Sequence, residues 1–424
     1  MSRLSPFARR LVGIALFGFV LRAVFALAVA PDSLDHSGDP RFFHLAANLL
    51  ADGHGYIAPL PFLDNGTVIT STEHPPLSSF LLAVFSVVGG RSYDAHELVG
   101  CLVGAGTVAC AGVLGHRVAS PWAGLIAACL VALYPVFVAM DGSLMSEPPY
   151  ALAVSLCLVQ AFRVVERPSL RRGAVLGLLI GLAALVRGEA LALLVVLLVP
   201  VALQIPRGAR LRLAAVVAGV TVLTIAPWTL RNSLTMDQFV LVSTEDGPVI
   251  AGANCSFTYG GRDIGYWRSD CLARGRDRNA AARSTRLRAD GLRYAGDHAG
   301  RVPPVVGVRL LRTFGLWQPV RHVFFSEGRM LPGRVVAAGC VWLALVGGVL
   351  GAVALGRRRR GALAILLAPV ALAVITSVAA FGYPRFRYAA DVSLIVLGAV
   401  LIDRVVRARQ AADRPRRRLG WSRV

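Results

Sequence analysis

Apolar residues fall in long runs at 11–30, 76–90, 97–116, 121–140, 148–165, 172–186, 188–205, 211–230, 335–356, 361–381 and 391–406. Runs of about 15–22 such residues are the length that carries a helix across the hydrocarbon core of a bilayer. Two polar segments, 31–75 and 231–334, interrupt them. The pattern predicts an all-α polytopic membrane bundle of about ten crossings with two long extracytoplasmic loops. Four parts are expected: 1–230 with the first loop inside it, the large loop 231–334, the helices of 335–406, and a basic tail at 407–424. No internal repeat divides the chain.

The basic residues orient the runs. Arg9-Arg10 precede the first run, and Arg404, Arg407, Arg409, Arg414 and Arg416–Arg418 follow the last, so both ends are expected in the cytoplasm. Counting inward from both ends puts Arg207, Arg210 and Arg357–Arg360 inside, and 31–75, Glu147, Arg187, 231–334 and 382–390 outside. The two counts meet between 76 and 117, where an odd number of crossings is needed and two runs stand. The shorter run, 76–90, follows Pro75-Pro76 and is expected to enter the membrane only in part. The first run ends in Ala-Leu-Ala-Val-Ala, like a signal-peptidase site, but Pro31 comes next, and an uncleaved span is expected.

Composition narrows the class. In 424 residues, 55% are hydrophobic and 16% charged, well below the roughly 25% charged of soluble domains. That excludes a disordered chain, a coiled coil and an ordinary cytosolic enzyme. The net charge of +21 comes from 45 basic residues, all of them arginine. They cluster beside apolar runs, so the charge reads as topology rather than nucleic-acid binding. The large loop carries 16 Arg against 9 acidic residues, which gives the outer face a basic surface suited to a lipid phosphate. The first loop carries six acidic residues and one arginine, Arg41. Five cysteines lie in apolar runs, while Cys255 and Cys271 share the outer loop, where disulfides persist; they are expected to pair.

Candidate chemistry gathers on the outer side. Asp39-Pro40 opens a short amphipathic stretch, with Phe42, Phe43, Ala46, Leu49 and Leu50 on one face and Gly53 as its stop. Asp39 reads either as the helix cap or as a free carboxylate at the membrane surface. Thr72-Glu73-His74-Pro75-Pro76 lies where the first loop re-enters the membrane, and Pro75 disfavours helix at His74. A carboxylate beside an imidazole can bind a divalent cation or steer a phosphate; a solvated turn is the plainer alternative. Asp141 to Glu147 begins one span, Arg187-Gly188-Glu189 separates two, and Tyr383-Pro384-Arg385-Phe386-Arg387-Tyr388 links the last two. Ionisable residues at membrane depth are functional candidates by default, although Arg187 can also snorkel or pair with Glu189. Trp228, in Ala226-Pro227-Trp228, is expected at the interface.

Together these segments resemble the GT-C glycosyltransferases, in the branch of protein O-mannosyltransferases and the bacterial lipid A aminoarabinose transferase. The resemblance rests on GDPRFFHLAANLLADGHGY around Asp39, EHPPL from Glu73, RGEALALL from Arg187, APWTLRN before the large loop and YPRFRYAAD near the end, over most of residues 10–400. It implies transfer of a sugar from a polyprenyl-phosphate carrier to an acceptor outside the cytoplasmic membrane. It implies Asp39 as catalytic base, although relatives often carry an adjacent acidic pair there and this chain has Asp35 four positions back. It implies Glu73, and less firmly His74 where the aminoarabinose branch has lysine, on the metal or phosphate side, with a divalent metal ion as the one cofactor to consider. Arg187, Arg385 and Arg387 become candidates for the donor phosphate, and Asp35, Arg41, Glu147 and Glu189 further site candidates. The partners expected are a polyprenyl-linked sugar, the bilayer and an acceptor of undetermined class, with no nucleic acid. The rival classes are a lipid or sugar flippase, which the lack of repeats disfavours, and a non-catalytic scaffold, which would not need converging charges.

Overall fold

A computed structural model describes residues 5–30, 37–319 except 274 and 276, 334–356 and 359–412. Every named element among them is helical, and one isolated antiparallel bridge joins Ile57 to Thr70. Helix α1 (Pro6–Val24) continues as a π-helical turn, Phe25–Val29. The first loop contains α2 (Gly38–Ala51) and α3 (Pro59–Asn65). Then follow α4 (Leu77–Val87), α5 (Tyr93–Val118), α6 (Pro121–Leu133), α7 (Pro135–Met140), α8 (Glu147–Glu166) and α9 (Leu170–Val186). A 3₁₀ turn, Gly188–Ala192, leads through α10 (Leu193–Val196) and α11 (Leu198–Gln204) to α12 (Arg207–Met236). The large loop holds α13 (Asp246–Ala253), α14 (Ala280–Asp297) and α15 (Val302–Thr313). Last come α16 (Arg334–Leu355), α17 (Arg360–Ala379), the 3₁₀ turn Pro384–Arg387 and α18 (Tyr388–Ala412).

Among the described residues, six helices are long and apolar enough to cross a membrane: α1 with its π turn, α5, α8, α12, α16 and α17. Shorter apolar helices fill the other runs, because the chain breaks where proline forbids the helical N–H or crowds its predecessor. Pro135 does this between α6 and α7, with Tyr134 extended before it. The run at 76–90 becomes the 11-residue α4, too short at 1.5 Å per residue to cross the core. The run at 391–406 lies within the 25 residues of α18, which carries Asp391.

The bundle packs α5 between α1, α6 and α8, sets α9 against α8 and α12, and lays α16 along α18. Small residues permit the close approaches, as is usual where helices meet without water. A Cβ at Gly351 of α16 would stand 2.0 Å from the Leu397 carbonyl oxygen of α18. Outer-surface atoms of apolar residues such as Leu16, Phe17, Leu211, Leu223 and Val353 remain uncovered, as a lipid-facing surface requires. Trp228 does not present its ring to lipid. It is buried, stacks edge-on against Tyr56 at 5.1 Å and donates to the Val242 carbonyl at 2.8 Å. Arg231, one turn on, donates to Ser71 and Tyr56 carbonyls, and so fastens α12 to the first loop.

Candidate active site

Asp39 belongs to the first turn of α2 but is not its cap. The N-cap is Ser37, with extended backbone, and Gly38 takes φ +55° to turn the chain into the helix, a conformation that costs glycine little. The Asp39 side chain is therefore not committed to the helix amides by position. The helix itself is anchored on its other face. With both imidazoles neutral, donors and acceptors close a ring there: Asn48 to His44 (3.3 Å), His44 to His96 (3.1 Å), His96 to Ser86 (2.9 Å) and Ser86 back to Asn48 (2.8 Å). This joins α2 to α4 and α5, and Phe43, buried with Ala47, Leu82 and Val99, packs in the same seam.

The free end of Asp39 faces two basic side chains. His74 Nε2 lies 3.7 Å from Oδ1, and Arg385 Nη1 lies 3.5 Å from Oδ2. His74 is held by the rings of Phe42 and Phe43, at centroid distances of 4.6 and 5.2 Å. Burial opposes the charge on Asp39, but His74, Arg385 and Arg187 outweigh it and hold its pKa below the usual carboxylate value. Arg385 also stands 3.7 Å from Glu147 Oε1. Glu147 in turn receives Nη1 of Arg187 at 2.5 Å, and the same guanidinium donates to Glu189 at 2.6 Å and to Ser146 at 3.0 Å. The segments before α2, α4, α8, α10 and α18 thus converge on one cluster of alternating charge.

This cluster lines a cavity of about 750 Å³. Its polar wall includes Asp39, His74, Arg187, Glu189 and Arg385, and its apolar wall includes Leu191, Ala192, Leu372, Ile375 and Phe386. The large loop closes the remaining side with residues 239–246, 249 and 250 and the face of α14 that carries Ser284 and Arg288.

Several lining residues, among them Asp246, Ser284 and Arg288, were not marked by the sequence, and Glu245 is the most buried carboxylate of them. Glu245, just before α13, reaches the same pocket, because Thr244 donates its N–H to the Thr72 carbonyl at 2.8 Å and ties the large loop to the turn that carries His74. Burial raises the Glu245 pKa; His74 and Arg385 pull it down, Glu73 and Asp39 push it up, and the result is about 7. No periodic or motif signal marks this position; the only hint is its place in a polar stretch of a loop expected outside.

Several expected site residues stand elsewhere. Arg387 does not face the cavity: its Nε donates to Asp391 at 2.7 Å and its Nη1 to the Thr313 carbonyl at 2.6 Å, in full burial. A 3₁₀ turn sends neighbouring arginines to different sides, so Arg385 enters the cavity and Arg387 the core. Arg41 is exposed on the outside of α2, near Tyr93. Glu73 is exposed and absent from the cavity wall. Asp35 and Arg416–Arg418 lie outside the described residues, as do two of the four arginines at 357–360. Cys255 and Cys271 form the expected disulfide, with Cα atoms 6.0 Å apart.

The fit of a divalent metal can be judged on these side chains. Among the described residues no three His, Cys, Asp or Glu side chains are grouped to hold a metal ion. Asp39 offers one oxygen to His74 and the other to Arg385, and Glu73 points to solvent. Among the described residues the donors as arranged do not make a metal site, and no chemical step is derived through one.

Residues 73–230 match the family model described as dolichyl-phosphate-mannose-protein mannosyltransferase. No curated protein sequence matches the chain. Among solved structures, the oligosaccharyltransferase AglB from Archaeoglobus fulgidus, in complex with an inhibitory peptide and a dolichol-phosphate, is similar over 98% of this chain and 53% of its own, at 15% identity and a TM-score of 0.53. A structure of the Archaeoglobus fulgidus oligosaccharyltransferase with Zn and sulfate is similar over 95% and 50%, at 16% identity and a TM-score of 0.54. The chain has a GT-C fold. It spans about half the length of those oligosaccharyltransferase structures. ArnT from Cupriavidus metallidurans bound to undecaprenyl phosphate is similar over 95% of this chain and 79% of its own, at 16% identity and a TM-score of 0.42. The family-model match begins at Glu73 and ends at Leu230, so it covers His74, Glu147, Arg187 and Glu189 but neither Asp39 nor Arg385.

Proposed function

We propose that this GT-C chain is an integral-membrane glycosyltransferase. It moves a sugar from a polyprenyl-phosphate donor to an extracytoplasmic acceptor, with inversion and with Asp39 as the base. One observation carries the reading: Asp39 stands between His74 and Arg385 at the wall of a cavity that is charged on one side and apolar on another. A polyprenyl-linked sugar has the same duality, a charged phosphate head on an apolar chain. The family match and the polyprenyl-phosphate complexes of fold relatives support the same donor class.

The chemistry follows from the charges. The donor phosphate competes with Asp39 for Arg385, draws that cation away and frees the carboxylate. Asp39 then accepts the acceptor's hydroxyl proton as the new C–O bond forms at the anomeric carbon. The bond from that carbon to the phosphate oxygen breaks in the same displacement. The electron pair stays on the polyprenyl phosphate, where Arg385 and Arg187 stabilise the growing charge. The cavity is expected to open on the outer face of the cytoplasmic membrane.

The rival is a flippase that carries the same lipid without cleaving it. The test is the purified chain in nanodiscs with radiolabelled polyprenyl-phosphate sugars and a panel of hydroxyl acceptors. Sugar transfer with release of polyprenyl phosphate, lost in Asp39→Asn, is the expected result. Lipid translocation in vesicles without any cleavage would overturn the proposal.

A further inference from the structure

Two buried carboxylates that do not line the cavity are each saturated by one arginine and one tyrosine. Asp141 accepts from Arg22 Nε at 2.5 Å on one oxygen and from the Tyr388 hydroxyl at 2.7 Å on the other. Asp391 accepts from Arg387 Nε at 2.7 Å and from the Tyr134 hydroxyl at 3.1 Å. Arg22 spends its other N–H groups on the carbonyls of Gly18, Ala132 and Val131. Tyr134 and Tyr388 both pack edge-on against Phe137, at 5.1 and 4.6 Å.

The protein makes room for this arrangement. A Cβ at Gly104 would stand 2.1 Å from Asp141 Oδ2, and one at Gly100 would stand 2.0 Å from the Asp141 carbonyl oxygen. The turn that follows Asp141 holds Leu144 at φ +58°, a backbone state that a leucine keeps only when its surroundings impose it. Buried ion pairs of this kind add little net stability over apolar packing, and their best-attested service is to fix one arrangement.

What they fix is the cation pair of the cavity. Asp141 opens the turn that ends at Ser146 and Glu147, which with Glu189 hold Arg187. Tyr388 follows directly on the 3₁₀ turn that carries Arg385. The Asp141–Tyr388 bond therefore ties the seat of one guanidinium to the seat of the other, and Arg22 references both to α1.

We propose that Asp141 and Tyr388 are positioning residues for the donor phosphate, acting through Arg385 and Arg187. This rests on the reading that those two arginines meet the donor phosphate. The full-length chain is tested in detergent for binding of undecaprenyl phosphate, and in steady state for donor and acceptor KM. Asp141→Asn strands Arg22 in the core and is the harsher variant; Tyr388→Phe keeps that ion pair and is the decisive one. Arg385→Gln is the control.

Tyr388→Phe should weaken undecaprenyl phosphate binding by about tenfold, the equivalent of one hydrogen bond to a charged group. Donor KM should rise in step and acceptor KM stay unchanged, all measured well below the melting temperature. A role confined to holding the fold would lower the melting temperature alone. Wild-type affinity in Tyr388→Phe, with weakened binding in Arg385→Gln, overturns this inference and leaves the functional reading standing. Wild-type affinity in Arg385→Gln overturns the functional reading, and this inference with it.

Discussion

Asp39 Oδ2 lies 3.5 Å from Nη1 of Arg385. The contact joins the first turn of α2 to the 3₁₀ turn before α18. It helps to keep Asp39 ionised, and in the proposed mechanism the donor phosphate takes the arginine. The bond is long for an ion pair, and Arg385 is shared with Glu147 at 3.7 Å, so a phosphate has little to displace.

Asp39→Asn is expected to fold and to lose transfer. The helix cap is Ser37, so the substitution removes no cap, and the melting temperature in detergent should stay near that of the wild type. Losing a general base costs roughly 10²–10⁴-fold in rate. Transfer within tenfold of the wild type would remove Asp39 from the mechanism.

Arg187 and Arg385 should behave differently when truncated. Arg187 is the close partner of Glu147, whose buried Oε2 has no hydrogen-bond donor among the described residues. Arg187→Gln leaves that buried carboxylate with only the longer 3.7 Å contact to Arg385; breaking a buried pair typically costs about 3–5 kcal/mol, so a large fall in melting temperature should accompany the loss of transfer. Arg385→Gln leaves Arg187 in place on Glu147 and His74 on Asp39, so it should spare the melting temperature and raise donor KM. Equal thermal losses in the two variants would contradict this division.

Glu245 should give the protein a pH-dependent stability term near neutrality. Its folded pKa is raised from 4.5 to about 7, by burial first and by Glu73 and Asp39 after it. A carboxyl with a raised pKa favours folding while protonated. Its contribution is complete below about 4.5 and is lost as pH rises through about 7. The comparison of wild type with Glu245→Gln isolates it from other groups. The melting-temperature difference, wild type minus variant, should become more negative between about pH 5 and about pH 8. A difference that stays flat would place Glu245 in solvent.

The bundle was legible because a helix in lipid must satisfy its own backbone and show an apolar surface, and both demands are written as long apolar runs. The charged cluster was legible in part for the same reason: Arg187 and Glu189 stand out because nothing polar surrounds them in sequence. Direction was not legible. Arg385 and Arg387 lie two residues apart with the same flanks, and only the 3₁₀ turn and the position of Asp391 decide which one enters the core. Ser37 and Asp39 posed the same problem at the head of α2, where Gly38 at positive φ moves the cap two residues back. Glu245 could not be found at all, since its place depends on the Thr244–Thr72 bond between two loops far apart in the chain.

The Cys255–Cys271 disulfide should stabilise the large loop on the cavity. It links the segment after α13 to the 3₁₀ turn Ser269–Cys271, which packs on α13, and Trp267 between them donates to the Pro248 carbonyl at 3.0 Å. Closing a loop of this size is worth about 3 kcal/mol in the chain-entropy account. Reductant, or the double change to serine, should lower the melting temperature. Rapid alkylation of both thiols in the untreated protein would show that the bond does not form.

The side on which the cavity opens can be fixed by reporters. All the convergent segments, those before α2, α4, α8, α10 and α18, lie at one end of their helices, and the large loop with its disulfide covers the same cavity. Disulfides persist outside the cytoplasm, so that end should be extracytoplasmic. The other ends carry Arg163 at the end of α8, Arg167 in the turn, Arg171 and Arg172 at the start of α9, and Arg207 and Arg210 at the start of α12, which the positive-inside bias assigns to the cytoplasm. The 11 residues of α4 give about 16 Å of helix, roughly half the hydrocarbon thickness, so α4 adds no crossing and the parity between 76 and 117 resolves with α5 alone. Reporter fusions at Gly208 and Gly361 should therefore read inside, and one at Gly261 outside. An outside signal at Gly361 would reverse α17. The apolar residues Leu372 and Ile375 and the Arg385 turn would then face the cytoplasm, and the cavity could not serve an external acceptor.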